Sequence, residues 1–188
     1  MDYSKIFERN NKTNDIIVDV ALDDYMDLYH EWDNTRFKKR DINPELIEFL
    51  SECSEQIPLK ENLELRFNIE KESKDEKKEK QGIESYGNYL KASIFSIKAV
   101  LKNMYRIALG SVILAFVLLI VAYIGKEIFE EGLITSVILE GFDIGAWVFM
   151  WEAVYALGYS RIDEKKKYKQ FKRLLNSSLV FTYTSENI

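Results

Sequence analysis

Cysteine, histidine and proline are nearly absent from this sequence, which has one Cys, one His and two Pro in 188 residues. The lone Cys53 excludes an internal disulfide and suits a reducing compartment, where its ordinary role is that of a small buried apolar residue. With His30 the single histidine, the usual donors of a catalytic zinc site are missing. The eight glycines are scattered and form neither a G-x-G-x-x-G nor a G-x-x-x-x-G-K loop, so no phosphate cradle is present. No G-x-S-x-G elbow marks a hydrolase nucleophile. A basic excess is lacking too: 26 Lys and Arg stand against 31 Asp and Glu, a net charge of −5 that argues against nucleic acid as a partner. Residues 1–14 lack the apolar run of a secretory signal. No cofactor is implied, and an enzyme is the least supported class of function.

What the sequence does have is a sharp separation of charge from apolarity. From Ile107 to Gly125 no residue is charged, and a helix over 107–125 covers a hydrocarbon core of about 30 Å. A second apolar stretch, Leu133 to Ser160, is interrupted by Glu140, Asp143 and Glu152. An acid at the bilayer centre costs about 2.5–3.5 kcal/mol, so the second span is placed at 141–159. That leaves Leu133 to Glu140 as a short interfacial piece, Asp143 at headgroup level and Glu152 alone at depth. Lys91, Lys98, Lys102 and Arg106 precede the first span, and Arg161, Lys165, Lys166, Lys167, Lys169, Lys172 and Arg173 follow the second, whereas the 126–140 loop holds Lys126 among Glu127, Glu130 and Glu131. The positive-inside rule then puts both termini in the cytoplasm of a multi-pass cell-membrane protein.

The remainder reads as a small cytosolic α/β sheet domain over 1–82, giving an α+β membrane protein with a two-helix transmembrane hairpin. Ile16, Val18, Val20 and Leu22 alternate, as do Leu63, Leu65, Phe67 and Ile69, which predicts strands over 16–22 and 60–70. Asn43-Pro44-Glu45 is a helix start, with the apolar stripe Leu46, Phe49, Leu50, Cys53 and Ile57 after it and Pro58 as the stop. Lys71 to Gln81 is either a solvated helix or a mobile linker. From Ile83, apolar residues at spacings of three and four predict an amphipathic helix over 83–106 that runs into the first span as one rod. In the basic tail, 160–188, the β-branched and aromatic run 179–184, bounded by Ser177-Ser178 and by Ser185-Glu186-Asn187, predicts a strand that joins the N-terminal sheet.

Several positions are candidates for function. Glu152 is an ionisable group inside the membrane and, with Asp143, the first place to look for ion or proton chemistry; its ordinary reading is a carboxylate bonded within the bundle. Gly141 and Gly145 form a G-x-x-x-G, and Ser111 with Ala115 a small-xxx-small pair, both suited to close helix packing and to a homo-oligomer. Lys165, Lys166, Lys167, Lys169, Lys172 and Arg173 are candidates for contact with anionic lipids of the bilayer. The cluster Asp23, Asp24, Asp27, His30, Glu31 and Asp33 would place Asp27 and His30 on one helix face, a weak metal geometry outweighed by that of a solvated acidic surface. Asp41 beside Arg36, Lys38, Lys39 and Arg40 reads as a salt-bridged or lipid-facing loop.

The stretch Arg40-Asp41-Ile42-Asn43-Pro44-Glu45-Leu46, followed by Gly141-Phe142-Asp143-Ile144-Gly145-Ala146-Trp147-Val148 and a basic segment, resembles a family of uncharacterised prokaryotic two-pass membrane proteins. The resemblance implies the same architecture over most of the chain and transfers no catalytic residue. Asp143 stands where such proteins tend to carry a small residue. Two functions fit: a membrane-anchored binding or adaptor subunit with a cytosolic protein partner, and an oligomerising effector or small channel gated by the cytosolic domain, as in bacterial defence.

Overall fold

The computed structural model describes residues 6–30, 41–130 and 132–184, with Tyr159 and Ser160 described by their backbone alone. Glu31, Asp33, the basic run Arg36 to Arg40, Glu131 and the Ser185-Glu186-Asn187 boundary lie outside the described residues. The chain divides into two compact units, Met1–Ser96 with Tyr168–Ile188, and Ile97–Lys167. The elements are three strands, β1 (Ile16–Leu22), β2 (Leu63–Ile69) and β3 (Ser178–Tyr183), and four α-helices, α1 (Pro44–Gln56), α2 (Glu76–Ile128), α3 (Leu133–Tyr155) and α4 (Arg161–Asn176). A π-helical turn, Ala156–Ser160, joins α3 to α4.

The first unit is α+β. Its sheet is parallel throughout in the order β1-β2-β3, with Val20 opposite Phe67 and Phe67 opposite Phe181. The alternation seen in the sequence puts Val18, Val20, Leu65, Phe67 and Ile69 on one buried face, where each contributes roughly 1.5–3 kcal/mol of burial. Phe181 continues that face, its ring 5.6 Å from Phe67 and 5.8 Å from Tyr25. Parallel sheets are normally covered on both faces. Here the second face is polar: Asn68 Nδ2 donates to Asp19 Oδ1 at 3.4 Å, the Thr182 hydroxyl bonds to Asn68, and Arg66 pairs with Asp19 at 3.4 Å. Water can wet that ladder, so no second layer of helices is required.

Helices cover the apolar face because their starts are encoded locally. Asn43 Oδ1 accepts from Glu45 N at 3.0 Å and opens α1, which buries Leu46, Ile47, Leu50 and Cys53; burial pushes the Cys53 thiol up. Asp75 Oδ1 accepts from Lys77 N at 2.9 Å and Lys78 N at 3.2 Å, so α2 starts at Glu76, inside the charged stretch, rather than at Ile83. Tyr86 and Leu90 of α2 are buried in this unit. The basic tail, notable in the sequence only for its charge, forms α4, which buries Gln170, Phe171 and Leu174.

In the second unit α2 and α3 are antiparallel: Ser111 pairs with Glu152, Leu118 lies against Gly145, and Leu139 lies against Gly125. Buried residues recur every seven positions, Ala108, Ala115 and Ala122 on α2 and Leu139, Ala146 and Ala153 on α3, and all of these but Leu139 are small. A seven-residue repeat keeps one stripe turned to the partner helix, and small side chains let the backbones approach. Large residues such as Phe116, Ile120, Trp147 and Trp151 point outward. Helix α3 starts at Leu133 and has no break at Gly141, so the separate interfacial piece expected over 133–140 is part of one continuous helix. A single glycine costs a helix only about 1 kcal/mol and does not end it. Both α2 and the continuous helix Leu133–Asn176 are long and apolar enough to cross a membrane.

Candidate functional site

Glu152 projects from α3 one residue before the packed stripe position Ala153 and is itself exposed. One of its oxygens accepts a hydrogen bond from Ser111 Oγ at 3.1 Å. Ser111 is 7% exposed, so the small residue singled out for packing also serves as the donor that holds this carboxylate. A carboxylate with one hydroxyl donor, flanked by exposed Trp151 and Tyr155, can accept a proton or a cation from the outer surface of the pair.

Asp143 plays a different part. Its Oδ2 lies 2.7 Å from Lys126 Nζ, the one cation of the sequence's acidic loop region, and this ion pair ties α2 to α3 near their connection. The same end carries a cavity of about 620 Å³ lined by Lys126, Glu130, Glu140 and Asp143 among others. Of the packing candidates, Ala115 is fully buried and Gly145 approaches Leu118. Gly141 has open space where a Cβ would stand, because it lies two residues, and hence about 200° of helix rotation, beyond the stripe position Leu139. Gly125, which no sequence motif marked, is the closest approach of the pair: a Cβ there would overlap the Leu139 side chain.

The basic candidates separate. Lys165, Lys166 and Lys167 are exposed in the second unit. Lys169, Lys172 and Arg173 belong to the first, where Arg173 is committed to protein: its guanidinium donates to Pro58 O at 2.8 Å, Ile57 O at 3.1 Å and the Ser54 carbonyl. It thereby satisfies the last carbonyls of α1, a role invisible in a run of lysines. The acidic cluster is accounted for locally as well. Asp27 Oδ2 accepts from Asp23 N at 2.7 Å, Asp24 Oδ1 accepts from Met26 N at 2.6 Å, and the pair caps the 3₁₀ turn Tyr25–Leu28. Among the described residues no group of three or more His, Cys, Asp or Glu is placed to hold a metal ion.

The sheet's two edges differ. Outside β1, Arg9 bridges Ile16 and Ile17 N donates to Glu8 O at 2.9 Å, so a short antiparallel segment guards that edge. Outside β3 runs a groove of about 590 Å³, walled by Lys74, Glu79 and Ile83 and floored by the consecutive residues Leu179 to Tyr183. At its end Tyr183 Oη donates to Glu79, Tyr25 Oη lies 2.5 Å from Tyr183 Oη, and Asp75 N donates to Tyr25 Oη at 3.2 Å. Burial, with Glu79 beside it, holds the Tyr183 phenol well above its usual range. The sequence signalled β3 as a strand, but only the pairing shows which of its edges is open.

No protein-family model matches this chain, and no curated protein and no solved structure matches it.

Proposed function

We propose that this chain is a two-pass cell-membrane protein that serves as a membrane-anchored binding or adaptor subunit, its α+β unit holding a cytosolic protein partner. The observation that carries the reading is the open edge of β3. An uncharged strand that pairs on one side only among the described residues, with a groove beside it, is suited to take up an extended segment of another polypeptide, and natural edges without such a role are guarded as β1 is. The membrane assignment is supported by the length and apolarity of the two helices and by the cationic residues flanking them. That both ends lie on one side is supported by the sheet, since β2 precedes the helix pair and β3 follows it and neighbouring strands require an even number of crossings; that this side is the cytoplasm is supported by the flanking cations alone.

The test is a photo-crosslinking residue at Val180, on the open edge, in the full chain expressed in cells, with Arg9 on the guarded edge as control. An adduct with one defined polypeptide from Val180 and none from Arg9 supports the adaptor; equal yields from both overturn it. Cysteine labelling checks the topology: Glu130→Cys reacting from the cytosolic side would reverse the orientation.

A second reading is favoured by Glu152. An exposed carboxylate held by the Ser111 hydroxyl at membrane depth is costly, and additional copies of the helix pair would supply further donors. On this reading the chain is an oligomerising effector or small channel gated by the cytosolic domain, for example in bacterial defence. Native mass spectrometry of the nanodisc-embedded protein separates the two: a closed assembly of four or more copies with ion flux sensitive to Glu152→Gln favours the effector, and a monomer or dimer removes it.

A further inference from the structure

At the end of the helix pair away from its connecting loop, the guanidinium of Arg161 stacks on the ring of Tyr105, 4.5 Å from its centroid. The Arg161 Nε is covered and has no hydrogen-bond partner. Among the described residues its terminal nitrogens make no ion pair, although Asp163 and Glu164 follow on the same helix. Stacking on an aromatic ring orients the guanidinium plane and leaves its fork of donors for a planar or tetrahedral oxyanion.

The surroundings add charge of one sign. Lys102 lies one turn from Tyr105 on α2 and Lys165 one turn from Arg161 on α4, and both are exposed. Because the two helices are antiparallel, both lysines lie on the side away from the apolar stretch. Tyr105 is 44% exposed and is followed, after Arg106, by the uncharged run that begins at Ile107. A ring with one apolar and one polar end, at the border between charge and apolarity, is typical of the bilayer interface.

We propose that Tyr105 and Arg161, with Lys102 and Lys165, form a binding site for the phosphate of an anionic lipid headgroup. The assignment rests on the membrane reading above and deepens it. It moves lipid recognition from the lysines of the tail to a defined cation–aromatic pair, and excludes Arg173, whose terminal guanidinium nitrogens are spent on the Ser54, Ile57 and Pro58 carbonyls. A headgroup fits better than a soluble anion because the site lies where the apolar run of α2 begins, so bound phosphate and acyl chain would each meet a matching surface.

The test uses the full chain in nanodiscs of phosphatidylcholine doped with phosphatidylglycerol, reading the anionic lipid retained by native mass spectrometry. Arg161→Lys keeps the charge but loses the fork, and Tyr105→Leu changes no charge; each is expected to lower retention roughly fivefold or more, and Arg161→Gln further. Lys166→Gln is expected to cost less than either. If Tyr105→Leu and Arg161→Lys leave retention unchanged while every charge removal acts alike, attraction is diffuse and the site is overturned. Displacement of the lipid by excess inorganic phosphate would overturn the headgroup assignment in favour of a soluble anion. A chain that stays soluble without detergent would overturn the membrane reading, and the lipid site with it.

Discussion

The two units are packed by opposite rules. In the sheet unit the largest residues are innermost, with Tyr25, Phe67, Leu50, Leu65 and Ile69 at 2% exposure or less. In the helix pair most of the innermost residues are small, Ala108, Ser111, Ala115, Ala122, Ala146 and Ala153, with Leu139 and Ile97 beside them, and most of the large ones face out. The difference follows from the surroundings each unit is suited to. In water, burying apolar area drives folding, so large side chains belong inside. In a hydrocarbon environment that drive vanishes between helices, and close backbone approach with a few polar links takes its place.

The comparison breaks first at the sheet core. Phe67→Ala, removing a ring that is 1% exposed, is expected to destabilise the sheet unit by about 3–5 kcal/mol while the helix pair keeps its helicity, as read by denaturant titration with hydrogen exchange on each unit. Co-unfolding of both units with that variant would show one cooperative structure. Arg173→Ala strips donors from the carbonyls that end α1 and is expected to cost about 2–3 kcal/mol, again in the sheet unit alone. In the helix pair the sense of substitution reverses: Ala115→Leu adds bulk to a closed stripe and is expected to cost about 1–3 kcal/mol, measured by helix-pair exchange in nanodiscs. Gly141→Ala, which meets no neighbour, is expected to change nothing beyond the helix gain of under about 1 kcal/mol.

A pH experiment sharpens the same contrast. Burial holds the Tyr86 phenol, whose Oη donates to Leu174 O at 3.5 Å, well above its usual range. A group whose folded pKa is raised keeps its full contribution below the unfolded value, about 10 for Tyr, and loses it as pH climbs above that. Stability of the sheet unit is therefore expected to fall with rising pH above about 10, and Tyr86→Phe to flatten that fall. An unchanged slope in that variant would remove Tyr86 as the cause.

The sequence reading went furthest where a pattern is local. Strand β1 was read over 16–22, its observed bounds, because four alternating apolar residues leave no other register. Helix α1 was read from Asn43-Pro44-Glu45, because a cap and a proline act within one turn. For Lys71 to Gln81 a solvated helix and a linker were both open, because Asp75 resembles any other acid in a charged run until its carboxylate is seen taking two amide protons; from Glu76 on the helix holds. Helix α4 was missed for a related reason: its apolar residues, Phe171 and Leu174, are few beside its lysines.

The sequence by itself determined the strands, the caps and the two long apolar segments, since each depends on residues within a turn or two of one another. The tertiary structure alone decided the rest. It set the parallel order β1-β2-β3, put Ser111 against Glu152 and Lys126 against Asp143, spent Arg173 on α1 and stacked Arg161 on Tyr105. Those partners are separated by 17 to 119 residues, and no local pattern specifies which distant polar group will meet which. That choice is made when the strands and helices pack, because polar groups that become buried then have to find a donor or acceptor.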